Sequence, residues 1–192
     1  MRRPIALAVL VALAALARAS ALASTAAAPT TFFITSRAVP QGGRLGGLAG
    51  ADRVCQDLAV AAGAGGRTWH AYLSTAFRKA PALNAGDRIG AGPWHNAAGA
   101  LVATRPADLH RGTVFPAALF LTESGQPVAA GTRILTGSRA NGLAAIEQTC
   151  ENWTSSAGET VAGEVGGSWN SGTVVRCDGS GPPLRLACFA AP

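Results

Sequence analysis

The chain of 192 residues is 48% hydrophobic and only 14% charged, which favours one domain with a packed core and excludes global disorder. No apolar run reaches the roughly 18–20 residues that are needed to span a bilayer. Sixteen Lys and Arg side chains against ten Asp and Glu give a formal charge of +6. Three of these arginines precede residue 24, and the remaining 13 minus 10, or +3, is too small to favour nucleic-acid binding.

The N-terminal segment has the pattern of a signal peptide. Arg2 and Arg3 form a positive start, residues 5–17 are apolar, and small residues favour cleavage after Ala21 or Ala23. We therefore expect residues 1–23 to be removed on export and residues 24–31 to form a short tether. The mature protein is then secreted or periplasmic, and it does not span a membrane.

Residues 32–190 predict one α+β domain. Leu48, Ala51, Cys55, Leu58 and Ala62 recur at helical spacing, and Gly63 follows as a C-terminal cap, so a helix is expected over residues 48–62. A second, short helix is expected over residues 104–109, with Thr104 as its cap. Apolar and β-branched residues predict strands over residues 31–36, 69–73, 133–136, 173–177 and 184–189.

The four cysteines are even in number and belong to a chain that is expected to be exported. Two disulfides are therefore the expectation for the set Cys55, Cys150, Cys177 and Cys188. Four cysteines allow three pairings, and the sequence alone does not choose among them. A zinc site is disfavoured, because the chain has no Cys-x-x-Cys or His-x-x-x-His spacing.

The chain carries none of the common catalytic motifs. It has no G-x-S-x-G elbow, no Walker loop and no H-E-x-x-H, and its three histidines have no nucleophile beside them in the sequence. These absences predict a protein that is not an enzyme. They also predict no cofactor and no metal.

Two sets of motifs resemble known families. Residues 137–142 (GSRANG) and 150–153 (CENW) resemble the endostatin domain of collagens XV and XVIII, as do residues 50–56 and 71–74 upstream. The chain resembles secreted bacterial lectin-like proteins more closely, because its residues 32–189 contain segments similar to theirs in the same order. These segments are DRIG, GPWHN, ADLH, LTGS and SWNS, beginning at residues 87, 92, 107, 135 and 168.

The resemblance implies a C-type lectin-like, endostatin-like fold, with two helices on small antiparallel sheets, long loops and neighbouring termini. It also implies the nested disulfides Cys55–Cys188 and Cys150–Cys177. Calcium-dependent lectins hold calcium with oxygen-rich tripeptides, whereas this chain has Val128 and Ser171 at two of those positions. No calcium site is assigned.

The expected function is that of a lectin-like binding module that contacts a glycan or another extracellular polymer. Aromatic rings beside amide groups in Gly-rich segments favour sugar binding, so the predicted contacts are Trp94, His95, Asn96, Trp169 and Asn170. The alternative for Trp94 and Trp169 is that they are buried loop anchors; Trp69 and Trp153 are expected in the core. The alternative function is a structural or adhesion protein of the cell envelope that binds a protein partner.

Overall fold

A computed structural model describes residues 27–76, 81–110 and 114–191. The predicted signal peptide lies outside these residues. The described chain is an α+β domain with one long helix, small sheets and two disulfides. The strands are β1 (Phe32–Ile34), β2 (Thr68–Ala71), β3 (Trp94–His95), β4 (Leu101–Ala103), β5 (Arg133–Leu135), β6 (Glu159–Glu164), β7 (Thr173–Arg176) and β8 (Leu184–Ala191). The helices are α1 (Gly47–Ala61), α2 (Ala85–Arg88) and α3 (Pro106–Leu109), with a 3-10 turn at Ala117–Leu119.

The last strand organises the main sheet. β8 pairs with β1 and β2 in antiparallel fashion and with β5 in parallel fashion, and the sheet continues through β6 to β7. β3 and β4 form a separate two-stranded sheet. Because β1 lies beside β8, with Phe32 opposite Phe189, the two ends of the described domain are neighbours.

Two apolar cores lie on the two faces of β8. Successive side chains of a strand point to opposite faces, and Phe189 enters one core while Cys188 enters the other. The first core gathers Tyr72, Trp94 and Trp169 around Phe189, with ring centroids 5.8, 5.5 and 6.0 Å away. The second core holds the buried face of α1 together with Trp69 and Trp153. The expectation that Trp69 and Trp153 are core residues is confirmed.

Helix α1 confirms the spacing that predicted it. Its residues Ala51, Cys55 and Ala59 are buried. The helix ends at Ala61, so the predicted Ala62 lies just beyond it and is exposed. Gly63 follows with φ of +77°, which suits glycine, and its N–H donates to the carbonyl of Val60 at 3.1 Å.

Both disulfides have the nested pairing. Cys55 of α1 is bonded to Cys188 of β8, and Cys150 is bonded to Cys177 at the end of β7. No described cysteine is free. The bridges therefore tie the long helix to the last strand, and the middle of the chain to its C-terminal part.

The backbone at Cys150–Trp153 is a single left-handed turn. Its four residues have φ between +49° and +68°, although none of them is glycine. This conformation is unfavourable for L-residues, so the surrounding contacts must hold it. Asn152 accepts from the backbone of Ala76 at 2.8 Å and donates back to it at 3.2 Å, and the indole of Trp153 donates to Ser74 at 2.7 Å.

The helix predicted over residues 104–109 corresponds to α3, which is a single turn. The N-cap of α3 is Arg105, whose side chain forms no capping hydrogen bond, and not Thr104 as predicted. Pro106 takes the first helical position, where its missing N–H and fixed φ suit the start of a helix. The predicted strands at residues 31–36, 69–73, 133–136, 173–177 and 184–189 correspond to β1, β2, β5, β7 and β8, and no end differs by more than two residues.

Candidate functional site

Four of the five predicted contact residues are buried. The exposed fractions are 1% for Trp94, 1% for Asn96, 2% for Trp169 and 3% for Asn170, whereas His95 is half-buried. The two tryptophans meet in the first core, through Phe189, and not on an outer surface. This position favours the alternative interpretation of both rings as buried loop anchors.

The loop around Trp94 lies beside the first strand. The backbone N–H of Thr31, next to β1, donates to the carbonyl of His95 at 2.9 Å, and the backbone N–H of His95 donates to the hydroxyl of Thr31 at 2.7 Å. Asn96 bonds the backbone of its own turn and the carbonyl of Leu119. These contacts give the segment around Trp94 a structural role close to the terminal strands.

The segment around Trp169 supports a cleft instead. The indole N–H of Trp169 donates to the carbonyl of Leu109 at 2.9 Å, and so fixes the last residue of α3. The next residue, Asn170, donates to the carbonyls of Arg139 and Ala140 at 3.3 and 3.1 Å. All three hydrogen bonds hold backbone that borders the same opening.

That opening is a cleft of about 390 Å³ between α2, the end of α3 and the turn at residues 139–143. Its volume is in the lower part of the roughly 300–1,000 Å³ range of small-molecule sites. The cleft is lined by polar groups, glycines and a few apolar side chains: Asn84, Gly86, Asp87, Gly90, Ala91, Pro106, His110, Asn141, Gly142 and Leu143.

His110 lies in this cleft and is held by the interior of the protein. Its Nε2 is 2.7 Å from the hydroxyl oxygen of Tyr72, and Asn170 donates to the same hydroxyl oxygen at 3.2 Å. These two hydrogen bonds connect the imidazole to buried groups and fix the position of its ring in the cleft.

Burial keeps this pair uncharged. It raises the pKa of Tyr72 well above its ordinary value, against the opposing effect of hydrogen bonds from Asn170 and Ser138. Burial also lowers the pKa of His110, while the negative charge of Asp87 acts in the opposite direction. At neutral pH the cleft thus presents an uncharged imidazole.

Glycines bring the backbone against the imidazole ring. A Cβ atom on Gly142 would lie 2.7 Å from Nε2 of His110, and φ at this residue is +80°. On the other side, a Cβ on Gly86 would lie 3.0 Å from Cε1. Larger residues at these positions would displace the ring, so the glycines define its place.

Asn84 joins two walls of the cleft. Its Oδ1 accepts the backbone N–H of Ala144 at 3.0 Å, and its Nδ2 donates to the carboxylate of Asp87 at 2.9 Å. The first bond ties α2 to the 139–143 turn. The second orients the exposed carboxylate at the rim.

A second polar cluster has a structural role. Asp52 of α1 accepts from Arg88 at 2.6 Å, contacts His70 at 3.0 Å and accepts the backbone N–H of Ala71 at 2.9 Å. Arg88 also donates to the carbonyl of Ala71 at 2.6 Å. These bonds lock α1, β2 and α2 together, and none of the three side chains lines the cleft.

Neither position that differs from the calcium-dependent lectins is available to a metal ion as a charged ligand. Val128 is buried in the first core, and the hydroxyl of Ser171 lies 3.0 Å from the hydroxyl of Ser168. Within residues 27–76, 81–110 and 114–191, no group of three or more His, Cys, Asp or Glu side chains could hold a metal ion.

Sequence reasoning missed the central residues of this cleft. Tyr72 is the single tyrosine of the chain, and it lies 38 positions from His110 and 98 from Asn170. Both Tyr72 and His110 stand within motifs of the family resemblance, at residues 71–74 and 107–110. Those motifs were the available signal, but only the fold shows that they meet.

Comparison with known proteins adds no family, because neither a protein-family model nor a curated protein matches the chain. Of the helices in the described part of the chain, none has the length and apolar character that crossing a membrane requires.

Proposed function

We propose that this protein is a secreted, C-type lectin-like binding module, without catalysis, that takes up a carbohydrate in the cleft beside His110. The support for the fold is the motif resemblance together with nested disulfides, small sheets and adjacent first and last strands. The support for placing the carbohydrate beside His110 is the cleft at that position.

One observation carries the proposal: the cleft combines fixed neutral hydrogen-bonding groups with a small apolar surface. His110 is held by its hydrogen bond with Tyr72, and Asn84 by its hydrogen bond with the backbone of Ala144. Asn141 is exposed at the rim. Pro106 and the exposed Leu143 supply an apolar surface beside these groups. Sugars need hydrogen bonds to hydroxyls and apolar contact with C–H faces at the same time.

The test is a glycan array probed with the exported protein, with and without calcium. We expect binding to a defined carbohydrate class in both conditions. Ala91→Trp places a large ring into the cleft that Ala91 lines, and should weaken that binding about tenfold or more. Ala49→Trp, at an exposed alanine of α1 outside the cleft, is the matched control and should bind as the native protein does.

Two results would contradict the proposal. One is a glycan array on which the protein binds nothing. That result would favour the alternative function, a protein of the cell envelope that binds a protein partner. The other is binding that Ala91→Trp and Ala49→Trp reduce equally, because the glycan would then be held outside this cleft.

A further inference from the structure

The charge that lines the cleft is negative. Among the described residues that line it, Asp87 is the single charged side chain. Its carboxylate is exposed at the rim, and Asn84 fixes its orientation through the 2.9 Å hydrogen bond. A fixed carboxylate at the mouth of a cleft favours a ligand that brings a positive charge.

Two neighbouring arginines are bonded to other groups, and a third, the exposed Arg139 at the start of the 139–143 turn, does not line the cleft. Arg88 follows Asp87 directly, but its guanidinium is bonded to Asp52 and to the carbonyl of Ala71. Arg105 pairs with Asp108 at 3.3 Å. Neither arginine lines the cleft, so neither cancels the charge of Asp87 inside it.

The imidazole does not cancel this charge either. Nε2 of His110 lies 2.7 Å from the hydroxyl oxygen of Tyr72, in the interior behind the cleft. Burial lowers the pKa of His110, and Asp87 is the group whose charge acts against that shift. Among the described residues that line the cleft, Asp87 therefore contributes a negative charge that the imidazole does not offset at neutral pH.

We infer that the cleft selects amino sugars with a free, protonated amine over N-acetylated and over acidic sugars. This inference rests on the proposed function and names its ligand class. An ammonium group can donate to the carboxylate of Asp87, whereas acetylation removes the charge and a uronate is repelled. Hydroxyls of the same sugar are left for Asn141 and His110.

The experiment measures dissociation constants for three tetrasaccharides: glucosamine, N-acetylglucosamine and galacturonic acid. The buffer is slightly acidic and low in salt, so that the amines are protonated. We expect the glucosamine oligomer to bind about two- to fivefold more tightly than the N-acetylated one, as for an exposed ion pair, and the acidic oligomer to bind most weakly. Added salt should reduce the difference.

Asp87→Asn keeps the size of the side chain and removes its charge. This variant should bind the glucosamine and N-acetylglucosamine oligomers equally. Asp57→Asn, at an exposed carboxylate of α1 outside the cleft, is the control and should keep the native preference.

The outcomes separate this inference from the proposed function. If all three oligomers bind equally and Ala91→Trp weakens them all, carbohydrate binding in the cleft stands and the charge selection is overturned. A preference that persists in Asp87→Asn overturns it as well. If none of the three oligomers binds, the preference for amino sugars is overturned, and the glycan array alone decides whether the cleft binds another carbohydrate.

Discussion

At the scale of single residues, the burial of His110 makes the protein sensitive to acid. The fold holds the imidazole neutral and lowers its pKa below the ordinary 6.5, so below that pH the unfolded chain binds more protons than the folded one. The free energy of unfolding should therefore fall as the pH falls through and below 6.5. For one proton the slope is at most about 1.4 kcal/mol per pH unit.

The His110→Gln variant isolates this effect. Urea unfolding of the native and variant proteins at pH 8 measures the free energy of unfolding that is lost with the contacts of His110. The same comparison at lower pH measures how this difference changes when the unfolded native chain takes up a proton. We expect the stability advantage of the native protein to shrink on acidification. An advantage that stays constant, or grows, would show that His110 is not held neutral by the fold.

At the scale of elements, the left-handed turn at Cys150–Trp153 stores backbone strain. Glu151 is exposed and has φ +52° and ψ +51°, a conformation that glycine adopts freely. Because a left-handed L-residue costs about 1–2 kcal/mol and glycine also loses more entropy on folding, Glu151→Gly should stabilise the protein by about 0.5–1 kcal/mol. The measurement is the free energy of unfolding in urea.

The matched control is Glu159→Gly, at an exposed glutamate of the strand β6. There the backbone is not left-handed, and the same change should destabilise the protein by roughly 0.5–1 kcal/mol. Equal losses of stability at both positions would mean that the turn at residue 151 is not left-handed.

The elements also show what the sequence can and cannot predict. Helix α1 follows from apolar spacing, since its buried face is the face that the spacing marks. Strand β6 was missed because Gly163 interrupts its apolar pattern. The structure gives the reason for that glycine: a Cβ there would lie 1.8 Å from the carbonyl oxygen of Trp169. A contact between separate parts of the chain therefore overrides the local strand pattern.

The same limit applies to the candidate site. Aromatic and amide residues in Gly-rich segments predicted surface contacts, yet Trp169 and Asn170 face inward and support Leu109 and Tyr72. Composition shows that such groups are present in a loop. It does not show which side of the loop faces the core, because that depends on the strands packed beneath it.

At the scale of the whole molecule, β8 is the element on which the rest is assembled. Cys188 and Phe189 stand next to each other on it and enter different cores. The β1 and β2 strands flank the same part of β8, and the bond to Cys55 attaches α1 to it. The outer disulfide therefore joins parts that are far apart in the chain, and the inner disulfide joins parts that are much closer.

This difference in loop length predicts how much each bridge stabilises the fold. The outer bridge closes a separation of 133 residues and the inner one a separation of 27. Chain-entropy estimates give about 5 kcal/mol for the outer bridge and about 3.5 kcal/mol for the inner one. The inner loss is reduced further, because without its bond Cys150 can relax from its left-handed conformation.

We therefore expect Cys55→Ala/Cys188→Ala to lower the free energy of unfolding more than Cys150→Ala/Cys177→Ala does, by at least about 1.5 kcal/mol. Urea titration of both double variants measures this, after non-reducing peptide mapping of the native protein has found each bridge. All four sulfurs belong to buried residues, so each variant leaves a small cavity of the same kind and the two costs of repacking are matched. A larger loss for the inner pair would contradict the entropic account, and it would place the main constraint at the left-handed turn instead of between α1 and β8.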